Sequence, residues 1–207
     1  MVRLVLLVLG AVCGLSADDR WDAKITLRDR IQVPFSFQFR VDKDGSASAN
    51  WGDVRSTAGK AQDGKLTLEF ASGARMEAKF DGGKSFEGDY LIEGARYRIE
   101  AAPFCTCGFQ GEAGPDISGT WALAAEGGGM LRVRRTGDDT VADLELPGGE
   151  RVQHLMGRFD GLSFALAAFD GRRGVLLDAE PDKDTLKITL QILPGSPATR
   201  LTATKRK

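Results

Sequence analysis

Phe104 to Trp121, FCTCGFQGEAGPDISGTW, divides the chain, and its reading decides how the remainder folds. Three glycines and Pro115 before Ser118 deny it regular structure, since glycine has no conformational preference and proline lacks a donor. Its closing Gly119-Thr120-Trp121 restarts a period-two pattern. The segment therefore reads as a hinge between two modules.

On both sides of it, apolar and polar residues alternate with period two, and no window sustains the three-four spacing of an amphipathic helix. The first half predicts strands at 21–27, 33–41, 47–51, 54–58, 66–70, 75–80, 86–92 and 97–101. Asp44-Gly45, Asp63-Gly64, Ser72-Gly73, Asp81-Gly82-Gly83 and Glu93-Gly94 stand between them, and such pairs accept the positive φ of tight hairpin turns. The second half predicts strands at 120–125, 131–136, 141–146, 152–158, 162–169, 174–179, 185–193 and 199–204.

Anchors recur about one hundred residues apart. Trp21 matches Trp121, Asp63-Gly64 matches Asp160-Gly161, and Ser72-Gly73-Ala74-Arg75 matches Asp170-Gly171-Arg172-Arg173, which points to duplication. The fold expected is all-β: two tandem antiparallel meander modules, each a small lipocalin-like β-barrel of eight strands. One larger barrel, or a sandwich built from both halves, satisfies the same pattern. The boundaries are a signal peptide at 1–17, modules at 18–102 and 118–207, and the hinge at 103–117.

The signal reading rests on Arg3, the apolar run LVLLVLGAV, and the small residues Gly14, Ser16 and Ala17. The run is too short to span a bilayer. Cys13 follows Val12, where lipoprotein processing wants a small residue, so export without a lipid anchor is expected, to the periplasm or beyond. The 28 basic and 29 acidic residues give a net charge of −1. Arg132, Arg134 and Arg135 read as a solvated strand face, so no nucleic-acid partner is expected.

Chemistry-bearing residues are few. Cys105 and Cys107 are the only cysteines after the signal, and an oxidising compartment would leave them as a labile disulfide, a thiol-exchange pair, half of a soft-metal site or a structural staple. Four zinc ligands are lacking, so no metal and no cofactor are expected. His154, the single histidine, shares a strand face with Val152 and Met156 if alternation holds. The pairs Asp138-Asp139 and Asp182 with Asp184 read as turn residues. Asp42, Asp44 and Gly45 only faintly suggest a calcium loop, lacking its closing glutamate. Phe35, Phe37 and Phe39 file along one face and either fill a barrel or line an apolar ligand cavity, with Trp121 at its end. Gly119-Thr120-Trp121 is similar to the first-strand motif of lipocalins, where the ring closes one end of the barrel.

Trp21-Asp22-Ala23, Val33-Pro34-Phe35, Asp63-Gly64-Lys65-Leu66, the run from Gly114 to Trp121, and Phe169-Asp170-Gly171-Arg172 with Val175-Leu176-Leu177 together form a wider pattern. It resembles the N-terminal region of bacterial TlpA-like thiol-disulfide oxidoreductases. The resemblance implies an accessory β module that precedes a thioredoxin-fold domain carrying the catalytic Cys-x-x-Cys. None of those catalytic residues has a counterpart here, and the sequence stops at Lys207. The function expected is a non-catalytic binding or scaffolding module beside a thioredoxin-fold domain or partner, with Cys105 and Cys107 as redox candidates. Enzymatic activity is expected only if a thioredoxin domain follows. The other function expected is a lipocalin-like carrier of a small apolar ligand.

Overall fold

The computed structural model describes residues 20–27, 30–104, 114–137 and 139–206. The signal segment, Cys13, Cys105, Cys107, most of the hinge and Asp138 lie outside the described residues. Within them there is no helix, and sixteen strands form two closed barrels.

The first barrel consists of β1 (Arg20–Thr26), β2 (Gln32–Val41), β3 (Ala47–Trp51), β4 (Val54–Gln62), β5 (Lys65–Phe70), β6 (Arg75–Phe80), β7 (Phe86–Ile92) and β8 (Ala95–Pro103). Each strand pairs antiparallel with its predecessor, and β1 closes on β8 with Ile25 opposite Ile99. The second consists of β9 (Gly119–Leu123), β10 (Met130–Thr136), β11 (Asp139–Glu145), β12 (Arg151–Phe159), β13 (Phe164–Phe169), β14 (Gly174–Asp182), β15 (Thr185–Leu193) and β16 (Thr199–Lys205). It closes where Thr204 of β16 faces Ala122 of β9. The two-module all-β reading is thus the observed architecture, and closure leaves neither sheet an open edge.

Alternation determines what is buried. Trp21, Ala23, Ile25 and Leu27 are buried together, as are Phe35, Phe37 and Phe39, and Leu66, Leu68 and Phe70. Hairpin chemistry sets the register. Asp63 and Gly64 take φ of +52° and +73° and join Gln62 directly to Lys65 across the ladder, as a two-residue primed turn requires.

Strand limits differ from expectation where polarity masks the pattern. β4 runs four residues beyond Ala58, although none of its side chains is fully buried. Its ladder pairing with β5, rather than its own burial, holds it in place. Leu162 is outside β13 and 81% exposed, in a turn where its N–H donates to Asp160 Oδ1 at 2.9 Å. Asp139 opens β11 instead of sitting in a turn.

His154 departs from the expected face. A bulge between β11 and β12 sets Ala142 opposite Leu155 and Leu144 opposite Val152, so one extra residue of β12 is accommodated between them. Leu155 is buried, while His154 is exposed with φ +64°. The bulge shifts the inward side chain by one position, which strict alternation cannot anticipate.

The barrels pack side by side through β2 and β13. Phe164, Leu166 and Ala168 point into the second barrel's core, while Ala167 and Phe169, on the other face of β13, join the core of the first. The ring of Phe169 lies 5.4 Å from Tyr90, 5.6 Å from Phe35 and 6.4 Å from Trp51. Tyr90 donates its hydroxyl to the Gly171 carbonyl at 3.1 Å, and burial pushes its pKa up to about 12. The β13–β14 hairpin is therefore a stopper in one mouth of the first barrel.

Candidate functional site

An open cleft of about 740 Å3 lies between the barrels, walled by β1, β2, β7 and β8 on one side and β11, β12 and β13 on the other. Its wall includes Pro34, Ala102, Met156, Ala165 and Ala167. The small side chains follow from packing: at Gly157, a Cβ would fall 1.8 Å from the Ala165 carbonyl oxygen, so β12 and β13 run too close there for any other residue.

An ionic cluster closes one flank. Arg20, the first residue of β1, crosses from the first barrel to the carboxylate of Asp139, the first residue of β11. Arg158 of β12 donates Nε to the other oxygen of Asp139 at 2.9 Å. Arg20 also donates to Ser36 Oγ at 3.2 Å, and its guanidinium sits 3.9 Å from the centre of the Phe104 ring, close enough for a cation–π contact. Asp139 is 6% exposed. Burial works to raise its pKa, but the hydrogen bonds and charges of Arg20 and Arg158 outweigh it and hold the carboxyl below its ordinary value.

On the first barrel's wall of the cleft, Lys24 of β1 and Glu100 of β8 stand 3.4 Å apart. Glu87 pairs with Arg98, and the Ser36 hydroxyl donates to Asp22. Every charged side chain of the cleft wall thus has a partner of the opposite sign or a hydrogen bond.

The residues singled out from the sequence are not brought together. Phe35, Phe37 and Phe39 pack within the first barrel, with ring centres 5.7 Å and 6.2 Å apart along the file, and Phe39 lies 5.0 Å from Trp21. Trp121 is buried in the second barrel, where its Nε1 donates to the Ile117 carbonyl at 2.9 Å. Of these four, only Phe35 touches the cleft. Cys105 and Cys107 lie outside the described residues.

Other sequence candidates resolve simply. Arg132 and Arg134 are exposed and face Glu145 and Asp143 across the ladder, at 3.7 and 2.6 Å. Asp44 accepts from the Ser46 N–H at 2.9 Å and the Ser46 hydroxyl at 2.6 Å, a local turn. Among the described residues no three His, Cys, Asp or Glu side chains gather as a metal site.

Sequence reasoning missed the Arg20, Asp139 and Arg158 cluster. No local pattern announces it, because its members are 119 and 19 residues apart and meet only once both barrels have closed. Compared with protein-family models, with curated proteins and with solved structures, the chain matches none of them.

Proposed function

We propose that the chain is an exported, non-catalytic binding and scaffolding module that holds its ligand or partner in the cleft between its barrels rather than inside either one. The observation that carries this is the contrast between a first-barrel interior filled by its own rings and an open cleft of about 740 Å3 beside it. That volume lies within the range common for small-molecule sites, roughly 300–1,000 Å3. Because the charges of the cleft are already matched, its occupant is neutral and largely apolar.

Nile red, a neutral dye that brightens in apolar surroundings, tests this. Saturable enhancement is expected, lost when Ala165→Trp fills the cleft and kept when Phe37→Ala opens the barrel interior. The opposite pattern would favour the lipocalin-like carrier. No enhancement in any form would remove the cleft reading.

The resemblance to TlpA-like proteins supports a thioredoxin-fold domain or protein as the scaffolded partner, with Cys105 and Cys107 in exchange with it. Alkylation and mass spectrometry test that arm. Two free thiols, inert toward a thioredoxin-like protein, would end it.

A further inference from the structure

Met130, the first residue of β10, stands on the outer wall of the second barrel. Leu131 beside it is buried in the core, while Met130 is half-buried. Its partner on β9 is Ala122, which in turn faces Thr204 of β16. The three residues form a row across the seam where the last strand of the barrel closes on the first. The ladder at that seam is short, pairing Ala203, Thr204 and Lys205 with Leu123, Ala122 and Trp121.

Two guanidinium groups converge on the Met130 sulfur. Arg206 extends the seam, its backbone N–H donating to the Thr120 carbonyl at 2.8 Å, and its Nη1 lies 3.5 Å from Sδ. Arg132, two residues along β10, places Nη2 3.9 Å from the same atom. Both side chains are exposed. Arg132 turns its other nitrogen, Nη1, toward Glu145 at 3.7 Å, beyond hydrogen-bond length, and among the described residues Arg206 forms no ion pair. The pairing is chemically uneven. A thioether is a weak acceptor, whereas a guanidinium is a charged donor with five N–H groups.

An oxygen on the sulfur removes the mismatch. A sulfoxide is polar and accepts through that oxygen, and hydrogen bonds from charged donors are the strong ones. An oxygen added on the side of the two arginines lies nearer to both than the sulfur does, within hydrogen-bond reach. Because Met130 is outside the core, the new polarity disturbs no apolar packing.

We propose that Met130 is a reversible oxidation site whose sulfoxide is gripped by Arg132 and Arg206, so that a peroxide tightens the closing seam of the second barrel. The sulfur lone pair attacks one oxygen of hydrogen peroxide, the O–O bond breaks, and the second oxygen leaves as water after proton transfer. Sulfur loses two electrons and the peroxide gains them. Methionine sulfoxide reductases, one for each sulfoxide epimer, reverse the step. Arg206 carries the consequence, because its grip joins β16 to β10 across β9, while Arg132 and Met130 share a strand. The site depends neither on the cleft reading nor on the hinge cysteines.

The test is peroxide treatment of the full chain, with peptide mass mapping to locate added oxygen and hydrogen exchange to follow β16. Met130 is expected to take up one oxygen while Met76, 0% exposed in the first core, stays a thioether. Amide exchange in Thr199–Lys205 is expected to slow by about three- to tenfold, the worth of an exposed hydrogen bond to a charged group in an opening equilibrium. The two reductases together restore the original rate. Met130→Leu, treated in the same way, removes the slowing and so separates it from oxidation elsewhere. Arg206→Ala, an exposed substitution, still gains the oxygen at Met130 but loses the slowing. No sulfoxide at Met130, unchanged or faster exchange in the oxidised chain, or slowing that survives either substitution would each overturn the proposal.

Discussion

The two barrels share a strand order but not a core. The first is filled with rings: Trp21, Phe35, Phe37, Phe39, Trp51, Phe70, Phe86, Tyr90 and Tyr97 are all buried in it. The second is filled with aliphatic side chains, from Leu131 and Leu144 to Val175 and Ile188, with few rings among them. The consequence is an asymmetry of dependence. The aromatic cluster borrows Ala167, Phe169 and Leu193 from the other module, whereas the aliphatic cluster takes nothing from the first. At one mouth of the first barrel Phe35, Trp51 and Tyr90 pack against Phe169, so the β13–β14 hairpin covers that mouth. The same meander can thus be a self-sufficient domain or one completed by its neighbour.

Separating the modules should show the largest difference. Residues 114–207 alone are expected to unfold cooperatively in urea, reported by Trp121, the lone tryptophan of that module. Residues 18–104 alone are expected to lose cooperativity, as followed by Trp21 and Trp51. Equal behaviour of the two halves would break the asymmetry. Within the intact chain, Phe169→Ala should cost about 3–5 kcal/mol, the usual range for a buried phenylalanine. Hydrogen exchange should place the loss in β2, β3 and β7 of the first barrel, although the substituted residue belongs to the second.

Most of the architecture was legible because alternation is a local property. Sixteen strands, their turns and the inward files at Phe35 to Phe39 and Leu66 to Phe70 can each be read from about ten residues at a time. What could not be read is what depends on both barrels at once. Phe169 looks like any inward strand residue, and nothing in its neighbours says that it enters the other module. Asp139 looks like a turn carboxylate until Arg20 arrives from the far end of the chain. Alternation puts His154 on the wrong face because a bulge breaks the rhythm without a glycine or proline to mark it.

The Asp139 cluster sharpens the comparison on the electrostatic side. Asp139→Asn removes a buried carboxylate between two arginines and should cost about 1.5–3 kcal/mol at neutral pH, the usual range for hydrogen bonds to charged groups. Arg134→Gln breaks an exposed pair on the second barrel's own surface and should cost no more than about 1 kcal/mol. The pH dependence separates them. The carboxyl of Asp139 is held below its unfolded value, near 3.9, so its contribution is fully present above that pH and is lost as pH falls through the folded value. Other carboxylates titrate in the same window, and the difference between wild type and Asp139→Asn in acid unfolding isolates this one. Parallel curves below pH 4 would show that the cluster does not tie the barrels together.

The smallest expected effect concerns the fourth strand of each barrel, where both modules carry an irregularity. In β4, the ladder to β5 skips Thr57 between Ser56 and Ala58, and Thr57 keeps negative φ while its hydroxyl donates to the Glu69 carbonyl. In β12 the bulge holds His154 at φ +64°, with its N–H donating to Asp143 Oδ1 at 3.0 Å. Glycine adopts positive φ without a Cβ clash, so His154→Gly should leave stability unchanged or raise it by up to about 1 kcal/mol. Thr57→Gly should lower it by about 0.5–1 kcal/mol, because there the substitution only loosens a strand. Urea midpoints of the two variants, with unchanged slopes, measure this directly. Opposite signs would mean that one bulge is a relaxed adjustment of register and the other a strained one. A loss of stability in His154→Gly as large as in Thr57→Gly would place the two bulges in the same class.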